Sequence, residues 1–452
     1  MARDAAAFEC TACGQPSGKW LGRCPTCGGW NTLEAVPDRP RPVSRTGVVG
    51  PTPISAAELH DPPRWSCGLP GLDRVLGGGL VAGSVVLLSG EPGVGKSTLL
   101  LQVAALTAPA GPVLYISAEE SNRQVALRAK RLGCVHDGIA LLPEPEVEAA
   151  IAVARRIRPH LVIVDSVQTM VSERIPAVAG SVTQVREVAA QLVDLAKRDG
   201  PTVVLVGHVT KDGSVAGPKS LEHVVDVLLE FSGASTLPYR GVRATKNRFG
   251  PAMELALFRM GDRGLQEVAN PSAALLSDRR KDAPGSAVAA VIEGTTPLLV
   301  EVQALVSRSS LLNPRRIAQG VDPGRLALLI AVLERRAGLR LADRDVFVNI
   351  VGGIAVDEPA LDLAVAAAVV SAANDLPLPP DLVLFGEIGL LGEVRGVSRT
   401  EDRLREAAAL GFGRCAVAGT TVETASPPVA LVTVPTVANL ARLLLEESRR
   451  DE

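Results

Sequence analysis

The sequence predicts an α/β protein in which a parallel-sheet core lies between a small cysteine-rich ribbon and a C-terminal α+β domain. Three observations lead there. Four of the seven cysteines crowd into the first 27 residues as two Cys-x-x-Cys pairs. Beyond Val85, short apolar runs alternate with helical segments, the arrangement of strand–helix–strand units in a parallel sheet. From Gly285 the pattern begins anew, with long alternating strands and strongly apolar helices.

A chain of 452 residues with 47% hydrophobic content can supply two or three domains with their own cores. No run of eighteen apolar residues lacks a charge or a breaker, and "MARDAAAFEC" has no apolar segment of the signal type, so a cytoplasmic protein without a membrane segment is expected. The net charge of −2 means that any nucleic acid must be met by local basic patches. Aromatic content of 3% points to no function.

The ribbon comes first. Cys10, Cys13, Cys24 and Cys27 form two knuckles that can bend their thiolates toward one centre, and four soft sulfurs in a tetrahedron suit Zn²⁺. Gly and Pro beside each pair, in "CGQPSG" and "CPTCGG", supply the turns. The alternatives are two disulfides, disfavoured in a reducing cytosol, or inert thiols, disfavoured by the paired spacing. Four protein ligands leave no open position for a substrate, so the expected zinc is structural and holds a ribbon over residues 1–35. A Pro-rich linker over 36–64 follows.

At Trp65 the chain changes character. "VVLLSGEPGVGKSTLLLQVAAL" reads as a buried strand, a glycine-rich loop and a helix, with Gly90, Gly95, Lys96 and Ser97 at P-loop spacing. Gly90, Glu91, Pro92, Gly93, Val94, Gly95, Lys96, Ser97 and Thr98 are the expected ATP site. The glycines let backbone N–H groups wrap phosphate oxygens, Lys96 reaches the outer phosphates, and Ser97 ligands Mg²⁺ at the helix N-terminus. The plain alternative is a glycine loop that binds nothing.

Two further strands end in carboxylates. "HLVIVDSVQT" carries four apolar residues into Asp165, and ligands of open parallel sheets lie at the carboxyl ends of strands, so Asp165 is placed to order Mg²⁺ or its water shell. "PVLYISAEES" ends in Glu119, placed to polarise the water that attacks the γ-phosphate, and Glu120, which points elsewhere if the strand continues. A solvated helix start is the alternative for either.

"CGLPGLDRVLGGGLVAGSVVLLSGEPGVGKST", "YISAEES" and "LVIVDSVQT" resemble the RecA-type ATPase core, expected here over 65–270. With the Cys₄ ribbon before the core and "KNRFG" after it, the chain resembles the bacterial RadA (Sms) family of DNA-repair proteins along nearly its whole length. That resemblance implies an ATP hydrolase that assembles as a hexameric ring on single-stranded and branched DNA, promotes branch migration, and works with the RecA recombinase. It also implies His208, at the end of "PTVVLVGH", as a γ-phosphate sensor, Lys211 and Lys219 beyond it as DNA contacts, and "MVSERIPAVAGSVTQVRE" as a companion DNA loop. Read without the family, a His that ends a strand is often a hydrogen-bonded rim residue, and loop lysines are usually solvated.

"YRGVRATK" and "MELALFRM" alternate as strands around "NRFGPA", so Lys246, Asn247, Arg248, Phe249 and Gly250 are expected at a hairpin tip, away from their own P-loop. By resemblance to RecA-type rings the tip faces the next subunit, where Lys246 and Arg248 can stabilise charge on the neighbour's γ-phosphate. An exposed turn with no such role is the alternative.

Residues 285–452 resemble the proteolytic domain of the Lon family at "VGGIAVDEPALDLAVAAAVVSA" and "FGEIGLLGEVRGV". Where that family carries its catalytic serine and lysine this chain has Ala360 and Glu401, so a serine–lysine dyad is not expected. An ATP-dependent protease is thereby disfavoured against a DNA motor, while an ATP-gated scaffold that loads other proteins on DNA stays open. "NPRRIAQGVDPGRL" offers Arg315, Arg316 and Arg325 as a basic rim or an ordinary solvated surface.

Overall fold

The computed structural model describes residues 8–35, 63–208, 221–233, 239–419 and 427–447. Lys211, Lys219 and the linker up to Pro62 lie outside the described residues. The chain forms two compact units. One holds residues to Phe231 with Arg243–Ala252 and Gly261–Leu265, and the other holds Ser232–Val242, Met253–Met260 and Gln266 onward. Along the chain, segments of the two units alternate between residues 232 and 266.

The ribbon is a three-stranded antiparallel sheet of β1 (Phe8–Cys10), β2 (Pro16–Ser17) and β3 (Leu33–Ala35), with β1 in the middle and Cys10 opposite Leu33. Its hydrophobic cluster is Cys10, Cys24 and Leu33, with Phe8 and Leu21 packed against them. So small a cluster cannot hold a fold by apolar burial alone, and a cross-link or metal must supply the rest.

The main sheet of the first unit follows the predicted alternation. Its elements are β4 (Val85–Gly90), α1 (Lys96–Thr107), β5 (Val113–Ser117), α2 (Asn122–Leu132), β6 (Ile139–Leu142), α3 (Val147–Ile157), β7 (Leu161–Asp165), α4 (Val182–Asp199), β8 (Thr202–His208) and β9 (Val227–Ser232). The strand order is β9-β4-β8-β7-β5-β6 and every neighbouring pair is parallel. Helices cover both faces of such a sheet, so β4, β5 and β7 are buried at every position and read as unbroken apolar runs. Ser121 starts α2 with a reciprocal cap to Gln124, and Ser181 caps α4 through the Gln184 N–H. The glycine loop and Asp165 leave the same end of the sheet, with β8 alone between their strands. Later come β10 (Tyr239–Asn247) and β11 (Leu255–Gly261), the two strands expected around "KNRFG".

In the second unit β12 (Ser286–Glu293), β13 (Thr296–Arg308), β14 (Arg316–Gln319), α5 (Pro323–Ala337), β15 (Arg344–Ile350), α6 (Asp362–Asn374), β16 (Leu382–Leu384), β17 (Glu387–Ile388), β18 (Val394–Arg395), α7 (Thr400–Ala409), β19 (Arg414–Val417), β20 (Ala430–Thr433) and α8 (Val437–Glu447) follow in order. The sheet runs β14-β15-β13-β12-β16-β19-β20, antiparallel on both sides of β13 and parallel elsewhere. Residues 362–371 of α6 are all buried, which explains a composition of Ala, Val and Leu with no polar face.

Ala360 is fully buried in a cluster with Phe385 and Leu404. Glu401 is exposed and paired with Arg405 at 2.9 Å. Two residues from each, a buried pair occupies this part of the unit: Arg403, with 0% exposure, bonds the Glu358 carboxylate and donates to the Ala290 carbonyl at 2.6 Å. Arg403→Ala removes the cation from a largely buried Glu358 carboxylate, which keeps the Ile292 N–H, and should cost about 3 kcal/mol or more in the unfolding transition of the second unit. Arg405→Ala, at an exposed pair, should cost less than about 1 kcal/mol, and chemical denaturation of the two variants checks the contrast.

The expected basic rim is corrected at two positions. Arg325 is held by Asp362, with Nε 2.9 Å from Oδ1, and by the Ile388 carbonyl at 2.9 Å. Arg316 donates to the carbonyls of Leu341 (2.8 Å) and Arg344. Both guanidiniums serve the fold: Arg325 gives Asp362, which also takes the Ile388 N–H, its cation, and Arg316 adds donors to backbone carbonyls. Arg315 is exposed.

Candidate active site

The loop after β4 is shaped for close approach. Gly93 and Gly95 take φ of +78° and +119°, where a Cβ is strained, and the first helical N–H groups of α1 open directly beyond Gly95. Lys96 is 3% exposed, and its Nζ donates to the carbonyls of Gly90 (2.8 Å) and Glu91 (2.9 Å). Burial brings its ammonium down to about 8, against the opposing pull of Asp165 and Glu119. A buried cation beside two carboxylates and backbone donors fits a nucleotide's phosphates. Ser97 and Asp165 are the residues that would hold Mg²⁺, which when bound neutralises phosphate charge.

Asp165 accepts a 2.6 Å hydrogen bond from the buried Tyr115 hydroxyl, which fixes one of its oxygens. Burial and the Asp165 charge push the Tyr115 phenol far up, so it remains a donor. Glu119 Oε1 accepts from Ser166 Oγ at 2.8 Å and lies 3.8 Å from His208 Nε2. Glu120 turns away onto Arg128 at 2.5 Å. Of the two adjacent carboxylates, Glu119 is therefore the one that shares a site with Lys96 and Asp165. Gln168 holds His208 by both backbone groups, accepting from its N–H and donating to its carbonyl at 3.0 Å each. Burial and the charge of Lys96 push the His208 imidazole down, which keeps the ring neutral near pH 7.

"KNRFG" stands at the other end of the sheet. Asp226 takes the N–H of Val85 at 3.0 Å, the Lys197 ammonium at 2.7 Å and the Arg248 guanidinium at 3.2 Å. From Val85 to Gly90 the strand rises about 17 Å at ~3.3 Å per residue, so Arg248 starts far from its own P-loop. Lys246 does not project freely as expected: its Nζ donates to the carbonyls of Glu222 (2.6 Å) and Val225 (2.9 Å). Asn247 bonds the Val75 carbonyl at 3.2 Å and turns the chain through its 2.9 Å bond from the Phe249 N–H. Arg64 donates to the Phe249 carbonyl at 3.1 Å. A Cβ added to Gly250 would stand 2.6 Å from Gly77 Cα, so glycine is required where these two backbones meet. Arg248 is the more available cation, at 56% side-chain exposure.

In the ribbon the four sulfurs lie within 4.8 Å of one another. Cys10 and Cys27 are 3.6 Å apart and Cys13 and Cys24 3.7 Å, close to the ~3.8 Å edge of a tetrahedron with Zn–S bonds of ~2.3 Å.

Residues 66–214 match the AAA domain family, and residues 8–35 match the rubredoxin metal binding domain family. The chain is 48% identical to the DNA repair protein RadA of Pseudomonas aeruginosa over 92% of its length and 93% of that protein. Against RadA of Bacillus subtilis identity is 45% over 98% and 99% of the two chains, and against RadA of Escherichia coli it is 46% over 93% and 94%. The chain belongs to the RadA family of DNA repair proteins.

For this RadA-family chain the four cysteines make a first test: metal analysis of protein purified without chelator should find one zinc per chain. Removing it should loosen the ribbon alone, because the site stabilises the segment that forms it. Four residues of the site were not singled out from sequence: Tyr115, Ser166, Gln168 and Asp226. Ser166 and Gln168 lie one and three positions after Asp165, so the carboxyl-end rule that selected Asp165 could have reached them. Tyr115 is a polar-tipped residue inside an apolar strand, a signal that it needs a partner. Asp226 has no local signal, since its partners Val85, Lys197 and Arg248 are distant in sequence.

Proposed function

We propose that this RadA-family chain is a DNA-dependent ATPase motor of recombinational repair that assembles as a hexameric ring on single-stranded DNA and drives branch migration. ATP bound by Gly90–Thr98 with Mg²⁺ on Ser97 and Asp165 is hydrolysed by water oriented through Glu119, with His208 sensing the γ-phosphate. Arg248, assisted by Lys246, completes the site of the adjacent subunit. One observation carries this reading: the P-loop, Glu119 and Asp165 share one end of the sheet, while the Arg248 cluster lies about five strand residues away at the other. A cation so placed serves a second copy of the chain better than its own.

The partners of this reading are single-stranded and branched DNA and the RecA recombinase, and the second unit, with Ala360 and Glu401, serves assembly or DNA contact without peptidase activity. None of the helices described is long and apolar enough to cross a membrane. The test measures ATP hydrolysis with and without single-stranded DNA, alongside strand displacement on a forked substrate. Stimulation with displacement supports the motor. Stimulation without displacement points to a loading scaffold instead.

A further inference from the structure

The tryptophans of this chain are unevenly placed. Of the three, Trp20 and Trp30 sit in the ribbon at 56% and 71% exposure, and they are the ribbon's exposed large hydrophobic side chains among the described residues. The third, Trp65, is half-buried and meets the His160 ring edge-on at 5.8 Å. A segment with so small a hydrophobic cluster would gain from packing either indole inward, yet both rings face water.

Their surroundings are cationic. Trp20 follows Lys19 in the chain, and its ring lies 3.8 Å from where a Cβ on Gly22 would stand. Gly22 accepts the Asn31 N–H at 2.8 Å, and Arg23 bridges to Trp30, which brings the two tryptophan segments side by side. The Arg23 guanidinium lies 5.8 Å from the Trp30 ring centroid and is steadied by its 3.0 Å bond to the Gly28 carbonyl. In the backbone register of β1 and β3, Glu9 pairs with Glu34.

We propose that Trp20 and Trp30 form a stacking platform for the bases of single-stranded DNA, with Lys19 and Arg23 placed to meet its phosphates. The inference rests on the reading of single-stranded DNA as a partner and assigns the zinc ribbon a part in holding it. Exposed indoles flanked by cations, with Arg23 backing one face of Trp30, suit a polymer of alternating rings and phosphates, and every base offers a face, so such contact is indifferent to sequence.

The test uses the full zinc-loaded chain and oligo(dT). In W65F, Trp20 and Trp30 are the only tryptophans, and oligo(dT) should quench the tryptophan fluorescence as it binds. W20A/W30A should bind oligo(dT) tenfold or more weakly than the natural chain. Binding to W65F that leaves emission unchanged overturns the inference. So does undiminished affinity in W20A/W30A, which would assign the face to a protein partner. Failure of the natural chain to bind oligo(dT) at all would instead remove the reading of single-stranded DNA as partner, and the inference with it.

Discussion

Lys96→Ala is expected to cut ATP hydrolysis by about a thousandfold or more while leaving the fold intact. The loss follows from position: Lys96 is the buried cation of the glycine loop, and a charge aimed at phosphate oxygens contributes most when charge develops there. The fold should survive because the two carbonyls that Lys96 holds belong to the loop itself, and burial already disfavours its charged form. Single-turnover hydrolysis, with thermal unfolding as the control, checks both parts. A variant that hydrolyses ATP at the natural rate would remove the assignment of the whole loop.

Arg248→Ala should have an effect of the same order, about a thousandfold in rate, if Arg248 supplies the transition-state cation to a neighbouring site. Little stability should be lost. Arg248 is more than half exposed, and Asp226 would still hold the Val85 N–H and the Lys197 ammonium, so a cost within about 1 kcal/mol is expected. That difference separates the two roles open to this arginine. A structural pair would appear in unfolding and leave turnover nearly unchanged. A finger would appear in turnover, with nucleotide binding and ring assembly retained. Lys246→Ala is less clean, because Lys246 also holds the carbonyls of Glu222 and Val225.

Signals confined to a few neighbouring residues were legible in the sequence. The P-loop spacing, the apolar run into Asp165 and the paired cysteines each depend on a short stretch of chain, and each stands in the expected place on its strand, loop or knuckle. Glu119 is preferred to Glu120 in the sequence on the expectation that the strand continues through both; the strand ends at Ser117, and what separates the two is Arg128, which takes Glu120 away. What could not be read depended on partners brought together by topology. Arg325 reads as a surface cation until α6 delivers Asp362 to it. Arg403 looks like one more arginine of a charged helix, yet it is buried against Glu358. The clamp of Gln168 on His208 joins β7 to β8, elements whose adjacency follows from strand order.

The claim that each ATP site is completed by the next subunit is tested most directly by mixing Lys96→Ala and Arg248→Ala chains, each inactive alone, and measuring ATP hydrolysis once sedimentation confirms ring formation. In a mixed ring, an Arg248→Ala subunit keeps an intact P-loop and can receive Arg248 from a Lys96→Ala neighbour. The account predicts that hydrolysis returns to a substantial fraction of the natural rate and depends on the mixing ratio. Mixed rings that assemble and stay as inactive as either parent would contradict it and place Arg248 in some other role.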